Sequence, residues 1–210
     1  MKIRGTKDRK ATAFTLIEMI GVLAVIAILA ALLIPKIFEA INSARINNCV
    51  VSYNTIKTAT MDHYGKYGKI NSLFGTNDLT EAQMTRYDTN ILMPEGLIDK
   101  PFTVKIGGGD VSTNSVIRAV TPANAAGGLG YDLAGAGGSA NDVAGAAFVV
   151  EAVIYGAAAQ DALEVSERLD GKALSASSNT AADTRGRVRY AAPPSGSGTV
   201  DALYIYIAHR

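Results

Sequence analysis

Apolar and polar positions alternate differently in successive parts of this chain. Residues 14–34, FTLIEMIGVLAVIAILAALLI, are apolar on every side except at Thr15 and Glu18. A run of about 20 such residues predicts a membrane-spanning helix and exceeds what a soluble core helix uses. From 36 to 64 the apolar positions recur at helical spacing, with Ile37, Ile41, Ala44, Ile46, Cys49, Val50, Tyr53, Ile56 and Thr60 tending to one side. Lys36, Glu39, Asn42, Arg45, Lys57 and Asp62 fall between them. A continuous helix over 14–64 rises on the order of 75 Å at about 1.5 Å per residue. Gly21 and Pro35 are its weak points. Proline removes a backbone hydrogen bond at about 3 kcal/mol, so Pro35 is expected to kink this helix rather than end it. The glycines of Gly65-Lys66-Tyr67-Gly68 are expected to stop it after Tyr64.

Beyond this point the pattern shortens. Residues 71–100 read as polar, mixed and irregular, with a turn at 93–96. Strands are predicted at 102–106, 115–120, 147–155, 187–191 and 203–208, and a helix at 157–169 closed by Asp170-Gly171. The last strand is apolar on both faces, which places it centrally. The economical arrangement is α+β: an antiparallel sheet packed on the second half of the long helix, whose apolar half protrudes. The expected organisation is a leader over 1–13, a helix over 14–64 that spans a membrane over 14–34, and a globular head over 65–210.

Charge sharpens the picture. The chain carries a formal +1, but the first thirteen residues hold five basic side chains against Asp8 alone, so the remainder is net acidic. Nucleic acid binding therefore gains no support from net charge. Basic residues ahead of an apolar run hold that end in the cytoplasm and send the rest outward. Cys49 is the single cysteine, so no intramolecular disulfide forms and packing alone must hold the head. It reads as a small buried apolar residue. His63 and His209 stand far apart with no ligand-spaced partner, so no metal site is expected.

A secretory signal peptide also begins with positive charge and an apolar centre. Here the apolar run is longer, and Pro35-Lys36-Ile37-Phe38-Glu39 follows it in place of a small-x-small cleavage pattern. Glu18 calls for a reason, because a carboxylate at a bilayer centre costs about 2.5–3.5 kcal/mol. It can snorkel to the interface or stay protonated. Alternatively, cleavage before Phe14 would create an α-amino group four residues away, for Glu18 to pair with in its own subunit or a neighbour. The acid also complements the positive end of the helix.

The stretch Lys10-Ala11-Thr12-Ala13 followed by Phe14-Thr15-Leu16-Ile17-Glu18 resembles the prepilin processing site of type IV pilins and type II secretion pseudopilins. The resemblance covers roughly the first third of the chain. It implies that a membrane-embedded prepilin peptidase cuts between Ala13 and Phe14 and N-methylates Phe14, and that Glu18 guides docking into a filament. The family usually has glycine where Ala13 stands. The implied partners are the peptidase, an inner-membrane assembly platform, the membrane itself and copies of this or related pilins. The implied course runs from a single-pass inner-membrane precursor to an extracellular pilus or, alternatively, a periplasmic pseudopilus. Close packing at Gly21, Ala24, Ala27, Ala30 and Ala31 would then supply specificity when lipid is exchanged for helix. A further alternative is a membrane-anchored periplasmic binding domain that does not polymerise.

No cofactor or catalytic residue is expected. The clusters at 107–109 and 127–138 lack the Gly-Lys-Ser/Thr ending of a phosphate loop and read as flexible surface loops. Asp132 and Asp142 are the candidate calcium ligands there, too few for a calcium cage. Ser195 and Ser197 sit in a turn-rich segment without a nucleophile elbow or a nearby histidine.

Overall fold

The computed structural model describes residues 14–137 and 141–210; Ala13 and the rest of the expected leader lie outside the described residues. The chain divides into two compact units between Ser43 and Ala44. Helix α1 (Leu16–Tyr67) forms the described helical part of the first unit and opens the second. Pro35 lies inside α1 without ending it. Proline has no N–H to donate, so the carbonyl one turn earlier loses its usual helical partner while the helix continues.

In the first unit the apolar side chains face outward all round. Its most apolar window has no buried residue, and α1 is long and apolar enough to cross a membrane.

The second unit buries one stripe of α1. Ile46, Cys49, Tyr53, Ile56 and Thr60 are buried as the sequence spacing predicts, and Ala59 joins them, whereas Ala44 is exposed. Helix α1 continues past Gly65 to Tyr67, one turn beyond the expected stop. A helical glycine costs only about 1 kcal/mol. The effective stop is Gly68, which turns left-handed at φ 69° and returns its N–H to the Tyr64 carbonyl at 2.7 Å.

A small hairpin follows, β1 (Ser72–Leu73) against β2 (Asn77–Asp78). The main sheet comprises β3 (Ser115–Val120), β4 (Val149–Tyr155), β5 (Val188–Arg189) and β6 (Ala202–His209). It is antiparallel throughout, in the order β3-β4-β6-β5, so β6 is central as its two apolar faces require. Helix α2 (Ala159–Leu169) joins β4 to the region before β5. Ile117, Ala152, Ile154, Leu203 and Ile205 point from the sheet into the core shared with α1. The α+β architecture expected from the pattern, pilin-like as the resemblance implies, is the one observed.

Three expectations are corrected. Residues 71–100 are not an irregular, polar loop: they form the β1–β2 hairpin and short helical turns over Glu81–Met84 and Asp88–Leu92, and Met84, Tyr87, Ile91 and Leu92 are fully buried in the core. Residues 102–106 form no strand, although Phe102, Val104 and Ile106 are buried in alternation. Side chains take the place of a ladder: Asp88 Oδ2 accepts the Phe102 N–H at 2.9 Å, Ser115 Oγ donates to the Phe102 carbonyl at 3.3 Å, and Asn114 Nδ2 donates to the Val104 carbonyl at 3.4 Å. Of the glycine-rich stretch the described residues 127–137 lie partly on the surface but are anchored rather than loose, with Gly130, Tyr131 and Asp132 buried. Ala125, Ala126, Tyr131 and Val143 are buried with Val120 and Val149 in a second core, packed against Tyr204 and Tyr206 on the other face of the sheet. Small residues let the backbone approach those rings: a Cβ on Gly127 would come within 2.8 Å of the Tyr204 hydroxyl.

Buried Asp183 accepts the Ser166 hydroxyl at 2.5 Å, and desolvation pushes its carboxyl up from 3.8 to about 6. The folded protein thus holds this proton where the unfolded chain has released it. Stability from this group is present below about pH 4 and is lost as pH rises towards about 6, on the order of 3 kcal/mol in all. Asp183→Asn keeps the hydroxyl's acceptor and removes the ionisation. The expected result is a flatter stability profile across that window and a higher melting temperature at pH 7, read by thermal unfolding of the detergent-solubilised chain.

Candidate functional site

The expected processing site sits where helix begins. Phe14 and Thr15 precede α1 and are not helical. The Glu18 carboxylate accepts the Thr15 backbone N–H at 2.8 Å and the Thr15 hydroxyl at 2.7 Å, while Thr15 Oγ accepts the Glu18 N–H at 3.4 Å. Thr15 is therefore the N-cap and Glu18 the third helical residue of a reciprocal capping box. These contacts satisfy donors that every helix leaves open at its start. Sequence reading singled out Glu18 for its charge and overlooked Thr15. The Thr-x-x-Glu spacing ahead of an apolar run is the signal that identifies it.

Around this cap the surface is apolar and open. Phe14, Leu16 and Ile17 are each more than three-quarters exposed. Gly21 has nothing within 4 Å of where a Cβ would stand, so its missing side chain leaves a shallow place on the helix. The described residues thus bring Phe14, Thr15 and Glu18 together at one helix end and set Gly21 on the same helix, with Pro35 farther along it.

The other chemistry-bearing residues serve the fold. His63 Nδ1 meets Glu95 Oε2 at 2.6 Å with both side chains fully buried, a partner that sequence spacing could not supply. Burial pushes the Cys49 thiol up to about 12, which leaves it without nucleophilic thiolate at neutral pH. Asp132 accepts the N–H groups of Ala136 and Gly137 at 3.0 and 2.6 Å, and Asp142 accepts that of Ala134 at 2.8 Å. Both proposed calcium ligands are thereby closing their own loop. Among the described residues no group of three or more His, Cys, Asp or Glu side chains could hold a metal ion. Ser197 Oγ lies 2.6 Å from Thr199 Oγ1, and Ser195 stands in the preceding turn.

Sequence reading also passed over Glu151, the charge inside the apolar strand 147–155. It is buried, pairs with Arg118 at 2.6 Å, and accepts the Tyr131 hydroxyl at 2.7 Å and the Ala126 N–H at 2.8 Å. Arg118 and Glu151 are direct cross-strand neighbours of β3 and β4. The pair ties the second core to the sheet. Burial beside Glu151 raises the Tyr131 phenol well above its ordinary range.

The family model of the prokaryotic N-terminal methylation motif matches residues 8–34. This motif is the processing signal of type IV pilin and pseudopilin precursors, and with the apolar helix it fits anchoring in the inner membrane. No curated protein and no solved structure matches the chain.

Thr15→Val removes the capping hydroxyl at nearly constant shape. It is expected to cost the helix start about 1 kcal/mol. Hydrogen exchange in micelles should then be faster at residues 16–19 and unchanged beyond residue 44.

Proposed function

We propose that this chain, a type IV pilin or pseudopilin precursor, is a structural subunit of a type IV pilus-like filament. The carrying observation is the methylation motif at residues 8–34 joined to a helix whose apolar residues face outward on all sides. In this reading prepilin peptidase cuts between Ala13 and Phe14 and methylates the new Phe14 amine. The mature chain waits in the inner membrane, with lipid around residues 14–34. An assembly platform then moves it into a filament, where the same segment packs against copies of itself.

Exchanging lipid for helix brings no net hydrophobic gain, so specificity must come from close packing and from polar contacts. Gly21 and the alanines along 24–31 permit close approach. Glu18 supplies the polar contact, and its role is double. Within the chain it caps α1 through Thr15, and in the filament it meets the Phe14 amine of its own or an adjacent subunit. The role is structural rather than catalytic, and the reading uses no cofactor or metal.

Two measurements test the proposal. The mature chain should begin at methylated Phe14 by mass spectrometry; a product starting beyond Pro35, or one retaining Met1, overturns it. Glu18→Gln keeps an acceptor for the cap but removes the charge, whereas Glu18→Ala removes both. If pairing drives docking, both variants lose filaments by at least tenfold, while wild-type filaments are released from the cell surface by shear. Full assembly of Glu18→Gln would assign the residue to capping alone. Filaments confined to the periplasm would identify the pseudopilus of a type II secretion system instead.

A further inference from the structure

Near its C-terminal end, α1 meets the end of β6 across a cleft of about 310 Å³, walled by Met61, Ile70 and Ile207 and rimmed by Lys57, Tyr64 and His209. That volume lies within the range of small-molecule sites. No described Asp or Glu side chain lines the cleft, although the chain beyond the leader is net acidic. Other clefts of the second unit differ in this respect. The one between α1 and residues 97–103 carries Asp99 beside Lys100, and the one at the start of α2 has no charged wall. An adjoining cleft holds Lys69, but Asp78 pairs with that lysine at 2.9 Å.

The cations at this cleft are not spent on the fold. Lys57 is half-buried, and among the described residues its ammonium has neither a hydrogen-bond nor an ion-pair partner. Arg210 lies over the Tyr64 ring at 5.3 Å and has no Asp or Glu partner among the described residues. A guanidinium stacked on a ring keeps its charge and its in-plane N–H donors. His209 completes the rim. Its Nδ1 lies 2.6 Å from the Tyr206 hydroxyl. A phenol is protonated at neutral pH, so it donates there, and the neutral imidazole carries its own proton on Nε2.

Donors around apolar walls, with no acid to neutralise them, select an anion that has an apolar body. We propose that this cleft binds a compact organic oxyanion, a carboxylate or phosphate carried on a ring of sugar size. Lys57 and Arg210 take the charge, His209 donates a hydrogen bond, and Met61 and Tyr64 cover the ring. Charge is what distinguishes this cleft from its neighbours, so charge is what the ligand must supply. The site stands independently of the filament reading.

The test is calorimetric titration of the detergent-solubilised full chain with glucuronate, glucose 6-phosphate and uncharged glucose. One or both anions should bind saturably and glucose should not. Lys57→Met and Arg210→Met should each weaken binding about tenfold, the loss of one charge-assisted hydrogen bond, while Lys57→Arg retains it. The melting temperature of Lys57→Met should match that of the unsubstituted chain. Binding of glucuronate alone identifies a carboxylate ligand, and binding of glucose 6-phosphate alone a phosphate one. The proposal is overturned if no probe binds saturably, if glucose binds as well as the anions, or if anion binding survives both methionine substitutions. Loss of binding together with a lowered melting temperature in both methionine variants also overturns it, by showing a structural role.

Discussion

The apolar side chains of the first unit have no cover of their own. In the described residues the most apolar stretch of α1 is bare on all sides. Water is an unacceptable solvent for so much contiguous apolar surface, which leaves acyl chains or other helices. The rest of the molecule accommodates this constraint. A helix satisfies its backbone internally and so can enter lipid, but its first donors must still be satisfied at the start. Thr15 and Glu18 do this with their side chains and backbone, so the carboxylate that is costly in lipid is already hydrogen-bonded where it stands.

The head faces a different problem, since it has no disulfide to restrain the unfolded chain. It buries both faces of one antiparallel sheet. One face receives the α1 stripe of Ile46, Cys49, Tyr53 and Ile56. The Tyr53 hydroxyl also donates to the Tyr206 carbonyl at 2.8 Å, fixing the helix against β6. The other face receives the glycine- and alanine-rich segment, tied by Glu151 and Arg118. Removing one partner of such a buried pair leaves an uncompensated charge, so the pair specifies how the segment lies. At the end of α2, Asp170 plays a similar part. Its carboxylate accepts the N–H groups of Arg187 and Val188 at 2.7 and 2.8 Å and pairs with the Arg187 side chain, joining helix to β5.

What the chain's own sequence determined is whatever depends on neighbours in the chain. The apolar run, the helical spacing after it, the basic leader and the Phe-Thr-Leu-Ile-Glu motif are all local patterns. They were enough for the anchor, the α+β class, most of the sheet strands and α2. The capping box was equally local, in Thr15 and Glu18, but only the carboxylate drew notice. Contacts between distant residues were decided by the tertiary structure alone. Phe102, Val104 and Ile106 alternate like a strand, yet their backbone partners are side chains of Asp88, Ser115 and Asn114. The glycines from 127 onward suggest looseness because glycine frees the backbone, and at Gly127 the same lack of a side chain lets that backbone close onto Tyr204. Glu95 reaches Phe74 and His63 across long sequence separations, and no spacing rule connects them. Periodicity along a chain reports which face of an element is apolar; which surface covers that face depends on packing in three dimensions.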